Sequence, residues 1–227
     1  MHYKLYNKNY TNQPNLTESL SDIERFFLFY YLNLNLKILI MRFLIPLLFF
    51  PLIMTAQDTS DLPYYEIPEY SENFTAGTVA ARQVDALGFR FYHATNGLTE
   101  KDLAFKANDD VRSTGETVSH IYDLTLIILN STLNKPNNSG EKPEMTFKEQ
   151  REKALQNLKQ AAEILRASDD ISKFKIIFGD REIPFWNNIN GPIADSIWHA
   201  GQIASYRRNT GNPINSNVNH FSGTVKN

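Results

Sequence analysis

The stretch Asn190-Gly191-Pro192-Ile193-Ala194-Asp195-Ser196-Ile197-Trp198-His199-Ala200-Gly201-Gln202-Ile203-Ala204-Ser205-Tyr206-Arg207-Arg208 decides how this chain is read. It has the marks of a helix with a defined start. Gly191-Pro192 supplies an opening turn, because proline lacks only an N–H that the first helical turn leaves unpaired anyway. Arg207 and Arg208 close the last turn, where positive charge suits the helix dipole. Asp195 and His199 are four residues apart, so their side chains leave the same face, one turn above the other. Ile193, Ile197, Ala200 and Ile203/Ala204 are the apolar positions near that face. A carboxylate and an imidazole directed inward together are costly unless they meet a metal, a proton partner or each other.

Working outward towards the N-terminus, a second helix is predicted from Ser113-Thr114-Gly115-Glu116. This is capping-box spacing, in which Ser113 and Glu116 satisfy each other's free N–H groups. The helix continues through Val118, His120, Ile121, Tyr122, Leu124, Ile127, Ile128 and Leu129. Glu116 and His120 repeat the carboxylate-then-imidazole spacing of Asp195 and His199. Thr146-Phe147-Lys148-Glu149 opens a third helix to about Ala167 in the same way, with Phe147, Leu155, Leu158, Ala162 and Leu165 at helical spacing. Another helix is expected over about Glu72–Thr95, stopped by Asn96-Gly97. His93, near its end, reads as a partly exposed helix-terminal histidine. Residues 98–103 form a turn or a single helical turn, and Asn134 to Pro143 a loop. Two β-prone runs flank Gly179-Asp180 between Phe174 and Trp186, which predicts a hairpin leading into the last helix. The tail after Arg208 reads as an irregular polar extension.

The fold class is therefore all-α: a four-helix bundle with a small β-hairpin before the last helix, in antiparallel or crossover connection. Bundle cores are places where inward histidines and carboxylates from neighbouring helices build metal sites.

The first 56 residues stand apart. Met41-Arg42, the apolar run Phe43–Ile53 and Thr55-Ala56-Gln57 have the basic, apolar and small-residue order of an export signal, with cleavage near Ala56-Gln57. The apolar run is shorter than the roughly 20 residues of a spanning helix and holds two prolines. Residues 1–40 then read as an upstream extension outside the fold, 41–56 as the signal, and 57–227 as one domain. A single membrane anchor over residues 26–53 is the competing reading, but it would enclose Asn33, Asn35, Lys37 and Arg42. The expectation is a periplasmic or extracellular protein with no membrane span after processing.

Of 23 basic and 25 acidic residues, five and three precede Gln57, leaving 18 against 22. That mild acidity argues against nucleic acid as a partner, since phosphate binding needs a basic face. There is no cysteine, so disulfides, a thiolate nucleophile and Cys-ligated zinc are all excluded.

With these motifs in place the chain resembles the DinB-like metalloenzymes of the DinB/YfiT superfamily. The matching residues are Ser113-Thr114-Gly115-Glu116-Thr117-Val118-Ser119-His120 and Asp195-Ser196-Ile197-Trp198-His199-Ala200-Gly201-Gln202, followed by Arg207-Arg208. The likeness runs from about Glu72 to Arg208. It implies a divalent metal held by one histidine of the second helix and two of the last. His120 and His199 fall on two of those positions. Asp195 stands where the family usually has histidine. Two imidazoles and a carboxylate suit Zn²⁺, Ni²⁺, Fe²⁺ or Mn²⁺ without distinguishing them. Glu116 is then a fourth ligand or, preferably, a partner orienting His120. The resemblance further implies a metal-dependent hydrolase or thiol transferase acting on a small-molecule substrate. Two alternatives stay open. One is a non-catalytic binder using Trp186, Trp198 and Tyr122; the other is a structural bundle in which Asp195 merely accepts a hydrogen bond from His199 or His120. The oligomeric state is left open, a homodimer included.

Overall fold

The computed structural model describes residues 24–35, 62–137, 140 and 143–226. The chain divides into two units, Met1–Gln57 and Asp58–Asn227. In the first, residues 24–35 are helical (α1), with Phe26, Phe27, Phe29, Tyr30 and Tyr31 exposed. This part of the upstream segment thus has regular structure, with the Asn33 and Asn35 side chains donating to carbonyls four residues back. The signal reading of 41–56 lies outside the described residues. Among those described, no helix is long and apolar enough to cross a membrane.

The unit Asp58–Asn227 is mostly helical, with two small two-stranded antiparallel sheets. Its elements are α2 (Ala76–Thr95), α3 (Glu100–Ala104), α4 (Thr114–Thr132), α5 (Phe147–Arg166), β1 (Lys175–Phe178), β2 (Arg181–Pro184), α6 (Trp186–Asn188), a π-helical turn (Ile189–Ile193), α7 (Ala194–Thr210), β3 (Val218–Asn219) and β4 (Thr224–Val225). α2 packs against α5 and α7, and α4 packs against the same two. Val84, Leu87 and Phe91 of α2 meet Val118, Ile121 and Ile128 of α4, Leu155, Leu158 and Leu165 of α5, and Ile203 of α7 in one buried core. Their i, i+3, i+7 spacing is what places them on one face of each helix.

Capping sets most helix starts. Reciprocal boxes join Thr75 with Thr78, Thr99 with Asp102, Ser113 with Glu116 and Thr146 with Glu149. The first of these moves the start of α2 from the expected Glu72 to Ala76. Thr75 is extended (φ −111°, ψ 166°), and its hydroxyl accepts the N–H of Thr78 at 3.2 Å. Gly77 follows because a Cβ there would lie 1.7 Å from the Ser168 carbonyl oxygen, where α2 crosses the end of α5.

The hairpin before the last helix is present, with Ile176 opposite Ile183 and Phe178 opposite Arg181. The opening of the last helix is more elaborate than a proline turn. Gly191 is non-helical (φ −104°, ψ −105°) inside the π turn that also holds Pro192, and α-helical geometry begins only at Ala194. Buried Asn188 anchors this turn by donating to Ser131 Oγ of α4 at 2.6 Å. At the other end α7 runs two residues past Arg208 and stops at Gly211, which is left-handed (φ 85°).

Two expectations need correction. The tail is not irregular: β3 and β4 pair, with Val218 opposite Val225 and Asn219 opposite Thr224. This hairpin clasps the lead-in to α2, through Ile67 N–H to Gly223 O at 2.9 Å and Val225 N–H to Glu66 Oε1 at 2.8 Å. His93 is not partly exposed. It is 6% exposed, its Nε2 lies 3.0 Å from the Tyr65 carbonyl, and the rings of Tyr65, Phe89 and Tyr92 surround it. Burial lowers its pKa, partly offset by that backbone bond, so it serves as a neutral core donor.

Candidate metal centre

α4 and α7 are neighbours, and their contact brings together the three residues singled out from sequence. His120 Nε2 lies 3.2 Å from Asp195 Oδ2, and His199 Nε2 lies 3.6 Å from Asp195 Oδ1. The imidazole rings are 4.9 Å apart and nearly perpendicular, at 83°. One ligand atom from each residue falls within 4.8 Å of the others, so this His120–Asp195–His199 group could hold a metal ion. Ligand atoms bound tetrahedrally at about 2.0–2.1 Å sit roughly 3.3 Å apart; the two histidine–carboxylate distances, which run to different oxygens of Asp195, are of that order. The group is not sealed: the side chain of Asp195 is 46% exposed, while His120 and His199 are half-buried. Water or a small molecule can therefore reach it.

A second tier orients one of these ligands. His199 Nδ1 is 2.8 Å from Gln202 Oε1, and Gln202 Nε2 donates to Tyr206 Oη at 2.8 Å. Tyr206 is buried and its ring packs edge-on against Phe105, 5.2 Å away. This contact fixes the orientation of the His199 ring and turns its Nε2, the nitrogen a metal would use, towards Asp195.

The chain matches no family model, and no curated protein or solved structure matches it.

Glu116 closes the capping box expected of it and stands apart from the His120–Asp195–His199 group, neither as a fourth ligand nor as a partner of His120. Its carboxylate accepts the Ser113 N–H at 2.7 Å and lies 3.5 Å from Lys106 Nζ, on the surface. The Ser113 N–H and hydroxyl, then Lys106, hold its carboxyl below the usual carboxylate range. The cap has claimed the side chain, and the polar contact of His120 is to Asp195. The aromatic trio is also divided: Tyr122 is buried in the core, while Trp186 and Trp198 stand on the surface, 73% and 78% exposed. Gln202 and Tyr206 were the residues missed. Their i+3 and i+7 spacing from His199 was the available signal.

Proposed function

We propose that Asp58–Asn227 is a DinB-like four-helix metal bundle whose His120, Asp195 and His199 hold one divalent ion, working on a small molecule after export. The observation that carries this reading is the convergence of three possible ligands from two helices, with His120 Nε2 3.2 Å from Asp195 Oδ2 and His199 Nε2 3.6 Å from Asp195 Oδ1. One ion could take an atom from each of them. The donor set fits a borderline divalent cation with positions left for water. When bound, such an ion supplies Lewis acidity and a more acidic water, the chemistry of hydrolysis and of transfer to thiols. The chain's own part is to hold two imidazoles and one carboxylate at the exposed rim between α4 and α7. Gln202 and Tyr206 fix the imidazole of His199.

A metal-free reading has its own support, since His120 Nε2 at 3.2 Å from Asp195 is also hydrogen-bond geometry. Elemental analysis and thermal melting separate the two. Protein purified without chelator should carry about one equivalent of metal per chain. Added Zn²⁺, Ni²⁺ or Mn²⁺ should raise the melting temperature, by roughly 4 kcal/mol of stabilisation at a thousandfold excess over Kd. His199→Ala should remove that rise, and Asp195→His should keep more of it than Asp195→Ala. The rise should shrink between about pH 7.5 and pH 5.5, because protons compete for the imidazole nitrogens. No metal-dependent shift in the parent protein would leave the hydrogen-bonded cluster as the better account.

A further inference from the structure

α7 has a second functional-looking face, opposite the metal group. At about 100° per residue, Ile197, Gly201, Ala204 and Arg208 point roughly 180° away from Asp195, His199, Gln202 and Tyr206. This face borders a cavity of about 360 Å³ between α2, α7 and the segment that follows. Buried Ala94 and Ala200 form part of its floor, and Ile197 and Ile214 its walls. Three nitrogenous side chains, Arg90, Arg208 and His220, stand around it.

The charge around this cavity is one-sided. Among the described residues neither Arg90 nor Arg208 has an acidic partner; Arg90 donates only to the Ala86 carbonyl of its own helix, at 3.0 Å. Burial, then Arg90, then Arg208, lowers the pKa of His220, and no carboxylate opposes them. His220 is put there by the C-terminal hairpin, with its ring edge-on to buried Phe89 at 5.7 Å. A half-open apolar hollow of ligand size, with two unpaired guanidiniums at its edge, complements one kind of molecule. We propose that this cavity is a binding site for a small organic anion: a carboxylate carried on a compact apolar body, its charge met by Arg90 and Arg208. The site is separate from the metal group and does not depend on it.

Hexanoate and benzoate are the probes, titrated into the full chain by calorimetry, with hexanol and inorganic phosphate as the neutral and the wholly polar controls. Both carboxylates should saturate a single site. Each control should bind at least about tenfold more weakly, since a charged hydrogen bond or the apolar contact is lost. Arg208→Gln should weaken hexanoate by about tenfold. Gly201→Leu tests the cavity itself. A Cβ at Gly201 meets nothing within 4 Å, and leucine favours a helix over glycine, so this variant should fold and melt no lower than the parent. It should nonetheless abolish hexanoate binding and leave metal uptake unchanged. Unaltered hexanoate binding in folded Gly201→Leu would overturn the proposal, as would hexanol or phosphate matching hexanoate, or no binding of either carboxylate.

Discussion

Gln202 holds the ring of His199 through a single contact at Nδ1, and is itself held by Tyr206 behind it. Gln202→Leu should leave the fold intact but weaken Zn²⁺ binding about 10–100-fold, as loss of an outer hydrogen-bond partner typically does; calorimetric titration of the two proteins checks this. Asp195 has a further role through its place in the first turn of α7, a helix without a side-chain cap. A negative charge there favours the helix by about 0.3–1 kcal/mol, which histidine forfeits even where it completes a three-imidazole set. The pairing of Asp195 with His199 was legible because four residues on a helix is a local rule. The arrival of His120, 75 positions away from Asp195, followed only from a family resemblance, since no local rule reaches so far. Glu116 was read rightly as a cap but not as a partner of His120, because capping and orienting compete for one carboxylate and the cap is nearer.

Short α3 shows how an element is tied into the whole. Asp102, at its third position, accepts the Thr99 N–H at 2.8 Å, the Thr99 hydroxyl at 2.7 Å, Asn212 Nδ2 at 2.7 Å and the Thr210 hydroxyl. One carboxylate thus caps α3 and fastens the end of α7 to it. Burial alone would raise its pKa, but the hydrogen bonds of Thr210, Thr99 and Asn212 outweigh burial and hold it well below the usual range. A depressed folded value means the stabilisation is present above the unfolded value, near 3.9, and is lost as pH falls towards the folded one. Asp102→Asn should therefore cost about 2–3 kcal/mol near neutrality, and its deficit against the parent should narrow below about pH 4. Urea unfolding at a series of pH values measures both. Arg207 makes a similar tie: buried, it donates to the carbonyls of His93 and Asn96 at 2.9 Å each and so closes the end of α2. From sequence it had seemed only to complement its own helix dipole. The starts of α4 and α5 were readable because the Ser113–Glu116 and Thr146–Glu149 boxes lie within four residues, whereas the Thr75–Thr78 box that starts α2 uses a threonine where the usual signal is Glu or Gln. The β3–β4 pair was not, because its two-residue strands in an Asn- and Ser-rich tail carry no alternating β-prone run.

At the scale of the molecule, the core followed from helical spacing, whereas the clasp between tail and lead-in did not. Gly223 is its tightest point: its φ is 76°, and a Cβ there would stand 2.4 Å from the Ile67 side chain. Gly223→Val should cost about 1–3 kcal/mol, seen as a lower urea midpoint, and should displace His220 from Phe89. Glu66 and Val225, joined across the clasp, are 159 positions apart. The closure entropy of so long a loop is recovered only once the helices between have already packed. A clasp that closes after the helices would be a latch rather than a nucleus: Gly223→Val should then speed unfolding while leaving the folding rate nearly unchanged, which stopped-flow kinetics in urea would read.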